Sequence, residues 1–239
     1  MNMRTTSTLT LVAVLATSLQ LAQAGDITGK ITLKGTPPPE KPIPMDSVQG
    51  CGALHTKPVY TRLYTVDKNG GLADTVVMLK GITGKSTGAS APPLVIDQKG
   101  CEYEPYVAVA QTGQKIVVKN SDPVLHNVHA TPSVPGNPEE NKAQMPGGAD
   151  LSFSFPKAEK FIRFKCDVHP WMFSYVTVAD HPYIAVSGAD GTYTIKDVPP
   201  GKYTIEAIHR KVHPDLEGAT QEIEVTAEGA KADFTLEVK

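Results

Sequence analysis

The run Phe164-Lys165-Cys166-Asp167-Val168-His169-Pro170-Trp171-Met172 sets a thiol, an imidazole and a thioether at three-residue intervals. About forty residues earlier stands Leu125-His126-Asn127-Val128-His129. One thiolate, two imidazoles and a weak thioether form the donor set of a trigonal copper site that passes single electrons. Copper(I) favours soft, low-coordinate surroundings and copper(II) favours nitrogen and oxygen. This set suits both tolerably, so little has to move when an electron arrives. Such a site needs a stiff frame, and a metal ion would hold Cys166 as the thiolate.

The surrounding residues predict that frame to be all-β. Valine, isoleucine and threonine recur in short runs broken by Gly, Pro, Asp and Asn, with Gly and Pro at 20 each among 239 residues. No apolar-periodic stretch in the mature part is long enough for a helix. Strands are expected over 27–33, 75–80, 103–110, 115–119, 126–130, 151–155, 161–166, 173–178, 203–208, 221–226 and 232–238. The proline-rich 36–42 reads as an extended linker, and 81–93 as a loop and domain boundary. Segment 132–148, with four prolines and three glycines, reads as a long surface loop. Asp190-Gly191, between 183–186 and 192–196, is a hairpin signal. Strands 161–166 and 173–178 flank the ligand loop. Because side chains alternate along a strand, Ile162, Phe164 and Cys166 share one face, which carries the thiol inward. His129, three positions from His126, faces the other way and reads as structural or exposed. Met145 reads as packing, Glu139-Glu140 as a solvated pair, and His181, His209 and His213 as solvated histidines.

Residues 1–24 read as a secretory signal peptide: Arg4 is the only charge, 9–21 is apolar, and Ala22-Gln23-Ala24 fits a cleavage site. Removing them leaves 22 basic and 25 acidic side chains, a net charge of −3. That balance argues against nucleic-acid binding, which needs a basic face. No second hydrophobic span follows, so the mature protein is expected to be free of a membrane span, periplasmic or otherwise exported, and exposed to oxidants.

An exported chain tends to pair its thiols, and there are three. Cys166 has a ligand's neighbours, which leaves Cys51 and Cys101 for a disulfide. The loop it closes, about 50 residues, is worth roughly 4 kcal/mol in the chain-entropy picture. The rival is a second metal site using Cys51 and His55 of Cys-Gly-Ala-Leu-His.

His126-Asn127-Val128-His129 followed by Cys166-Asp167-Val168-His169-Pro170-Trp171-Met172 resembles the small cupredoxins, above all those with an amicyanin-type Cys-x2-His-x2-Met loop. The resemblance spans about residues 95–180 and includes Asn120-Ser121-Asp122-Pro123. It implies a Greek-key β-sandwich holding one type 1 copper ion on His126, Cys166, His169 and Met172, with Met172 as the axial ligand. It also implies that Asn127 braces the ligand loop by hydrogen bonds. The loop histidine would face solvent through an apolar patch, the electron port, to which Pro170 and Trp171 would contribute. Trp171 reads equally as packing.

Residues 191–206 resemble the carboxypeptidase regulatory-like, transthyretin-like β-sandwich. The opening pieces of that pattern stand early, at Gly29-Lys30-Ile31-Thr32-Leu33 and Val76-Val77-Met78-Leu79, and the remainder resumes only after Asp180. The expectation is therefore a cupredoxin domain, 89–180, inserted between strands of a second small sandwich made of 25–88 and 181–239. The alternative is three consecutive pieces, with the N-terminal strands joining the cupredoxin sheet.

The function expected from these readings is an exported one-electron carrier that exchanges electrons with a partner protein. The alternative is a copper-binding or delivery protein with no electron-transfer role, and a third class is an interaction module. Enzymatic turnover is disfavoured: an activating copper needs an open position, which Met172 would fill, and there is no Ser-His-Asp set, phosphate loop or Cys-x2-Cys-His.

Overall fold

The computed structural model describes residues 23–238, so all but the last two residues of the expected signal peptide lie outside the described residues. Among the described residues the regular structure is β-strand with three single-turn 3-10 helices. In chain order the strands are β1 (Gly25–Lys34), β2 (Val76–Leu79), β3 (Leu94–Gln98), β4 (Tyr103–Glu104), β5 (Val107–Gln111) and β6 (Ile116–Asn120). Next come β7 (His126–Thr131), β8 (Glu140–Gln144), β9 (Leu151–Phe153), β10 (Glu159–Lys165), β11 (Phe173–Ala179) and β12 (Ile184–Val186). The last are β13 (Thr192–Val198), β14 (Gly201–Ile208), β15 (Ala219–Val225), β16 (Ala230–Lys231) and β17 (Phe234–Glu237).

They form four sheets. The middle of the chain supplies two of them, β5-β11-β10-β7-β8 and β4-β3-β6-β9. Ile96, Ile116 and Val118 from one meet Val128, Ile162, Phe164 and Val176 from the other in a common core. The two ends of the chain supply the other pair, β13-β1-β16 with β17 also on β1, and β12-β2-β14-β15. Ile27, Ile31, Leu79, Ile195, Ile205 and Phe234 fill the space between them. Strand β1 alternates strictly, with Ile27, Ile31 and Leu33 inward, as a strand with one face on the core must.

A third apolar cluster joins the two halves: Val76 and Met78 of β2, Val107, Phe161, Tyr175 and Ile208. It explains why β2 and β11 are buried on both faces. In β11, Val176 and Val178 point into the sandwich core while Tyr175 points into the junction. A strand covered on both sides reads as a continuous apolar run rather than an alternation.

Residues that follow the expected linker, inside the 25–88 expected to belong to the end-strand sandwich, do not pack with it. Ile43, Met45, Cys51 and Val59 pack on the core of the middle sandwich. A disulfide between Cys51 and Cys101 fixes them there. With Cys51 so used and His55 Nε2 donating to the Gly100 carbonyl at 2.7 Å, the rival pairing of these two residues as metal ligands is excluded.

Three local expectations are corrected. The stretch 103–110 is two strands, not one: β4 pairs with β3, and after Pro105 β5 pairs with β11 in the other sheet. The supposed surface loop 132–148 contains β8, which pairs with β7 along its length. Asp190-Gly191 is a turn but not a hairpin. Gly191, at φ +81° and with Ile31 O only 2.3 Å from where a Cβ would sit, turns the chain out of the sheet of β12 and into pairing with β1.

Candidate metal centre

The site is built by two antiparallel strands and a turn. Strands β10 and β11 pair up to Lys165 and Phe173, and the Cys166 N–H then donates to the Met172 carbonyl at 3.1 Å. That bond places Cys166 opposite Met172 at the closed end of the ladder. Within the loop, the Met172 N–H donates to the His169 carbonyl at 2.9 Å, which folds His169 back over the same end. Ile162, Phe164 and Cys166 share the inward face, at 1%, 0% and 2% exposure, and Met172 is buried beside them at 1%. Strand β7, next to β10 in the sheet, brings in His126, which is wholly buried.

His126 Nδ1 and His169 Nδ1 face each other at 3.0 Å, and Cys166 Sγ lies 3.4 Å from His169 Nδ1. The three donor atoms all lie within 4.8 Å of one another. Metal bonds to imidazole nitrogen and thiolate sulfur run at about 2.0–2.3 Å, so donors this close can share one ion. Two further groups of donors overlap this one, Cys51-Cys101-His169 and Cys101-Asp122-His126. Both depend on sulfurs already joined in the disulfide, so His126-Cys166-His169 is the group that offers a free thiol.

The groups around these donors prepare them. The His126 Nε2–H donates to Asp122 Oδ2 at 2.9 Å, which leaves Nδ1 as the nitrogen directed at the other donors. A carboxylate behind a ring in this way fixes tautomer and orientation for metal binding. Asp122 is itself held by the N–H groups of Gly100, at 2.6 Å, and Cys101, at 2.7 Å. The disulfide loop therefore steadies His126 through one carboxylate. Burial opposes ionisation of Asp122, but His126 and the two N–H groups outweigh it and hold the carboxyl below its ordinary range. Burial likewise works against a charged His126, yet hydrogen bonds to Asp122 and Cys166 hold its pKa above the usual histidine value. Burial and the charge of His126 push His169 down, as expected for two rings that cannot both be protonated at this separation. The Cys166 thiol lies below its ordinary value: burial raises it, but hydrogen bonds from His126 and from the N–H groups of Asn127, Val168 and His169 prevail.

Asn127 spans the two segments. Its N–H points at Cys166 Sγ at 3.5 Å, and its Oδ1 accepts from the Asp167 N–H at 2.7 Å. Its amide also donates to Asn141 and Asp167. Below the site the Tyr103 hydroxyl donates to the carbonyl of Asn127 at 2.9 Å.

His129 points away from the donor cluster, with its ring nitrogens 2.9 Å from Asp167 and 2.8 Å from Glu139. Glu139 is thus a hydrogen-bond partner of His129 rather than only solvated. Met145 is 61% exposed and is not packing. His181, His209 and His213 are buried, against the expectation of solvated rings. The loop histidine does not open onto solvent either: His169 is 2% exposed. Trp171 lies against it with ring centroids 5.7 Å apart and donates its indole N–H to the Cys101 carbonyl at 3.0 Å. Exposed apolar groups remain above, namely Pro170 together with Val168 and Leu125.

Asp122 is the functional residue that sequence reasoning missed. It stands in the Asn120-Ser121-Asp122-Pro123 stretch, and the signal that could have found it is its position four residues ahead of His126.

No protein-family model and no curated protein matches the chain. Among solved structures, the chain is similar to an oxidised point mutant of amicyanin, at 21% identity over 43% of this chain and 97% of that one, with a TM-score of 0.32. It is similar to a purple cupredoxin from Nitrosopumilus maritimus, at 20% identity over 36% of this chain and 99% of that one, with a TM-score of 0.31. It is also similar to a copper-containing nitrite reductase from Thermus scotoductus SA-01, at 18% identity over 36% of this chain, with a TM-score of 0.32. The chain spans only 22% of that reductase. No helix among the described residues is long and apolar enough to cross a membrane.

Proposed function

We propose that the chain is an exported type 1 copper protein that carries single electrons to or from a partner protein. The observation that carries this reading is the convergence of Cys166 Sγ, His126 Nδ1 and His169 Nδ1 within 4.8 Å, from two remote stretches, in a buried site. These three residues would hold the ion, with Met172 as the weak fourth ligand. Bound copper would supply reversible one-electron exchange between its two common oxidation states.

The chain's own residues do the rest. Cys166, with its lowered pKa, offers a thiolate with little loss on deprotonation. Asp122 fixes the His126 tautomer, and Asn127 ties the Cys166 loop to β7. The burial of His126, Cys166, His169 and Met172 excludes water and leaves no approach for a substrate. That closure supports a carrier over a copper-delivery protein, which would present a more open ligand shell. Electrons would enter through Pro170 and the edge of Trp171 rather than directly at His169. The strands of 25–88 and 181–239 would serve as a scaffold into which the copper-bearing sandwich is inserted.

The test is to load purified protein with copper(II) and record the visible spectrum. An intense thiolate-to-copper charge-transfer band is expected, together with its loss in Cys166→Ser. A colourless copper adduct, unchanged by that substitution, would remove the proposal. Reversible voltammetry then separates a carrier from a delivery protein.

A further inference from the structure

A groove of about 360 Å³ runs along the junction of the two sandwiches and is lined by Lys160 and Arg163 from one side and Arg210 and Lys211 from the other. Arg163 stands directly across from Tyr175 in the β10–β11 ladder, and the Arg210 guanidinium lies 4.1 Å from the centroid of the same tyrosine ring. Arg163 lies 4.9 Å over the neighbouring Phe173 ring. The two guanidiniums therefore flank one aromatic wall.

Glu159 also lines the groove and Lys160 is paired with Glu206, which leaves the charges of Arg163, Arg210 and Lys211. Arg163, Arg210 and Lys211 take part in none of the salt bridges among the described residues. The Nε atoms of both arginines are buried without a hydrogen-bond partner. Nearby carboxylates are committed: Glu159 accepts from Ser133, Val134 and Asn137, and Glu206 is paired with Lys160 and Lys80. Burial, and then the charge of Arg210, hold the Lys211 ammonium below its usual pKa against the opposing charge of Glu40. Like charges gathered in a concave, part-buried place repel, and orphaned buried donors in a native structure call for a partner such as an ion. Face contacts with Phe173 and Tyr175 offset only part of that cost.

We propose that this groove is an anion site, which takes a ligand bearing a phosphate or carboxylate group and bridges the two sandwiches through Arg163 on one and Arg210 and Lys211 on the other. Arginine is suited to this task because its planar fork matches the oxygens of either group. The site is independent of the metal centre. Bridging makes the ligand stabilise the whole chain, since it binds the folded junction and not the unfolded chain.

The test uses the full mature chain and two probes, inorganic phosphate and succinate, each against sodium chloride at matched ionic strength. Calorimetric titration and thermal unfolding are read for the unsubstituted protein and for Arg210→Gln, Arg163→Gln, Lys211→Gln and, as a control away from the groove, Lys196→Gln. Saturable binding and a raised melting temperature are expected with at least one probe. The arginine and lysine groove variants should weaken that binding by about tenfold or more, and Lys196→Gln should leave it unchanged. Which probe binds tells phosphate from carboxylate ligands. A response no larger than that to chloride overturns the proposal, and so does binding that survives unaltered in the groove variants. Should an arginine variant fail to fold, Lys211→Gln decides, because it removes a charge without removing aromatic packing.

Discussion

Replacing Asp122 by asparagine tests how far the protein part of the metal centre depends on one carboxylate. Asp122 is 5% exposed. Its Oδ2 accepts from His126 and Cys101, and its Oδ1 accepts from Gly100. An asparagine keeps one oxygen, which can retain the pair on Oδ2, and turns its NH2 toward the Gly100 N–H. One buried donor is then orphaned against another, at about 1–3 kcal/mol. Alanine leaves three donors unpaired and costs more. The effect depends on pH in a fixed direction. The folded carboxyl sits below its ordinary pKa, so its contribution is present above the unfolded value of about 3.9 and is lost as pH falls through the folded value. Urea unfolding of the metal-free protein at pH 7 should show the full difference, and the two proteins should converge in acid. A Cu(I) chelator competition should show metal affinity about 10–100-fold weaker, the range for removing a carboxylate behind a ligating histidine. An asparagine variant within about 0.5 kcal/mol of the parent, with unchanged copper affinity, would refute the claim that Asp122 positions His126.

Replacing both Cys51 and Cys101 by serine should cost about 4 kcal/mol for a closed loop of 50 residues, measured by urea unfolding; a parent protein equally stable with and without a thiol reductant that opens the bridge would contradict this. Phe164→Ala removes a wholly buried ring from the core below the site, with an expected loss of about 3–5 kcal/mol in the same assay. Glu206, 1% exposed, is opposed by its burial but held below the usual carboxylate range by Lys160 and Lys80. Its contribution is therefore present at neutral pH and lost on acidification, so Glu206→Gln should be destabilised at pH 7 and match the parent once Glu206 is protonated. An equal gap across that pH range would exclude the ion-pair explanation.

The donor residues were legible because each chemical type is distinctive and because the flanking strands announce themselves by alternation. Ile162, Phe164 and Cys166 share the core face that a two-residue period assigns them. What was hidden follows from physics that a local pattern cannot carry. Strand β8, Glu140–Gln144, is almost wholly polar, because it lies at the sheet edge and owes its place to pairing with β7. Pro105 sits inside a stretch of strand-forming residues, and only the sheet pairing reveals that the chain changes layers there. The burial of His169 depends on Trp171 and on a disulfide segment more than a hundred residues earlier. Those contacts have no signature near the ligand loop.

The register of β2 and β12 has a consequence for engineering. Ile184 pairs with Met78, and the Leu79 N–H donates to the Tyr183 carbonyl at 3.2 Å, so the long excursion from 80 to 182 leaves and returns at adjacent points. Its ends are spaced as in an ordinary reverse turn. The excursion can therefore be cut out as a cassette and replaced by a two-residue Asn-Gly link, with Cys51→Ser added because its bridging partner leaves with the cassette. By the same logic the excised piece has neighbouring termini, but it leaves behind Ile43, Met45, Cys51 and Val59, which pack on its core, so a transplant has to carry residues 43–59 as well.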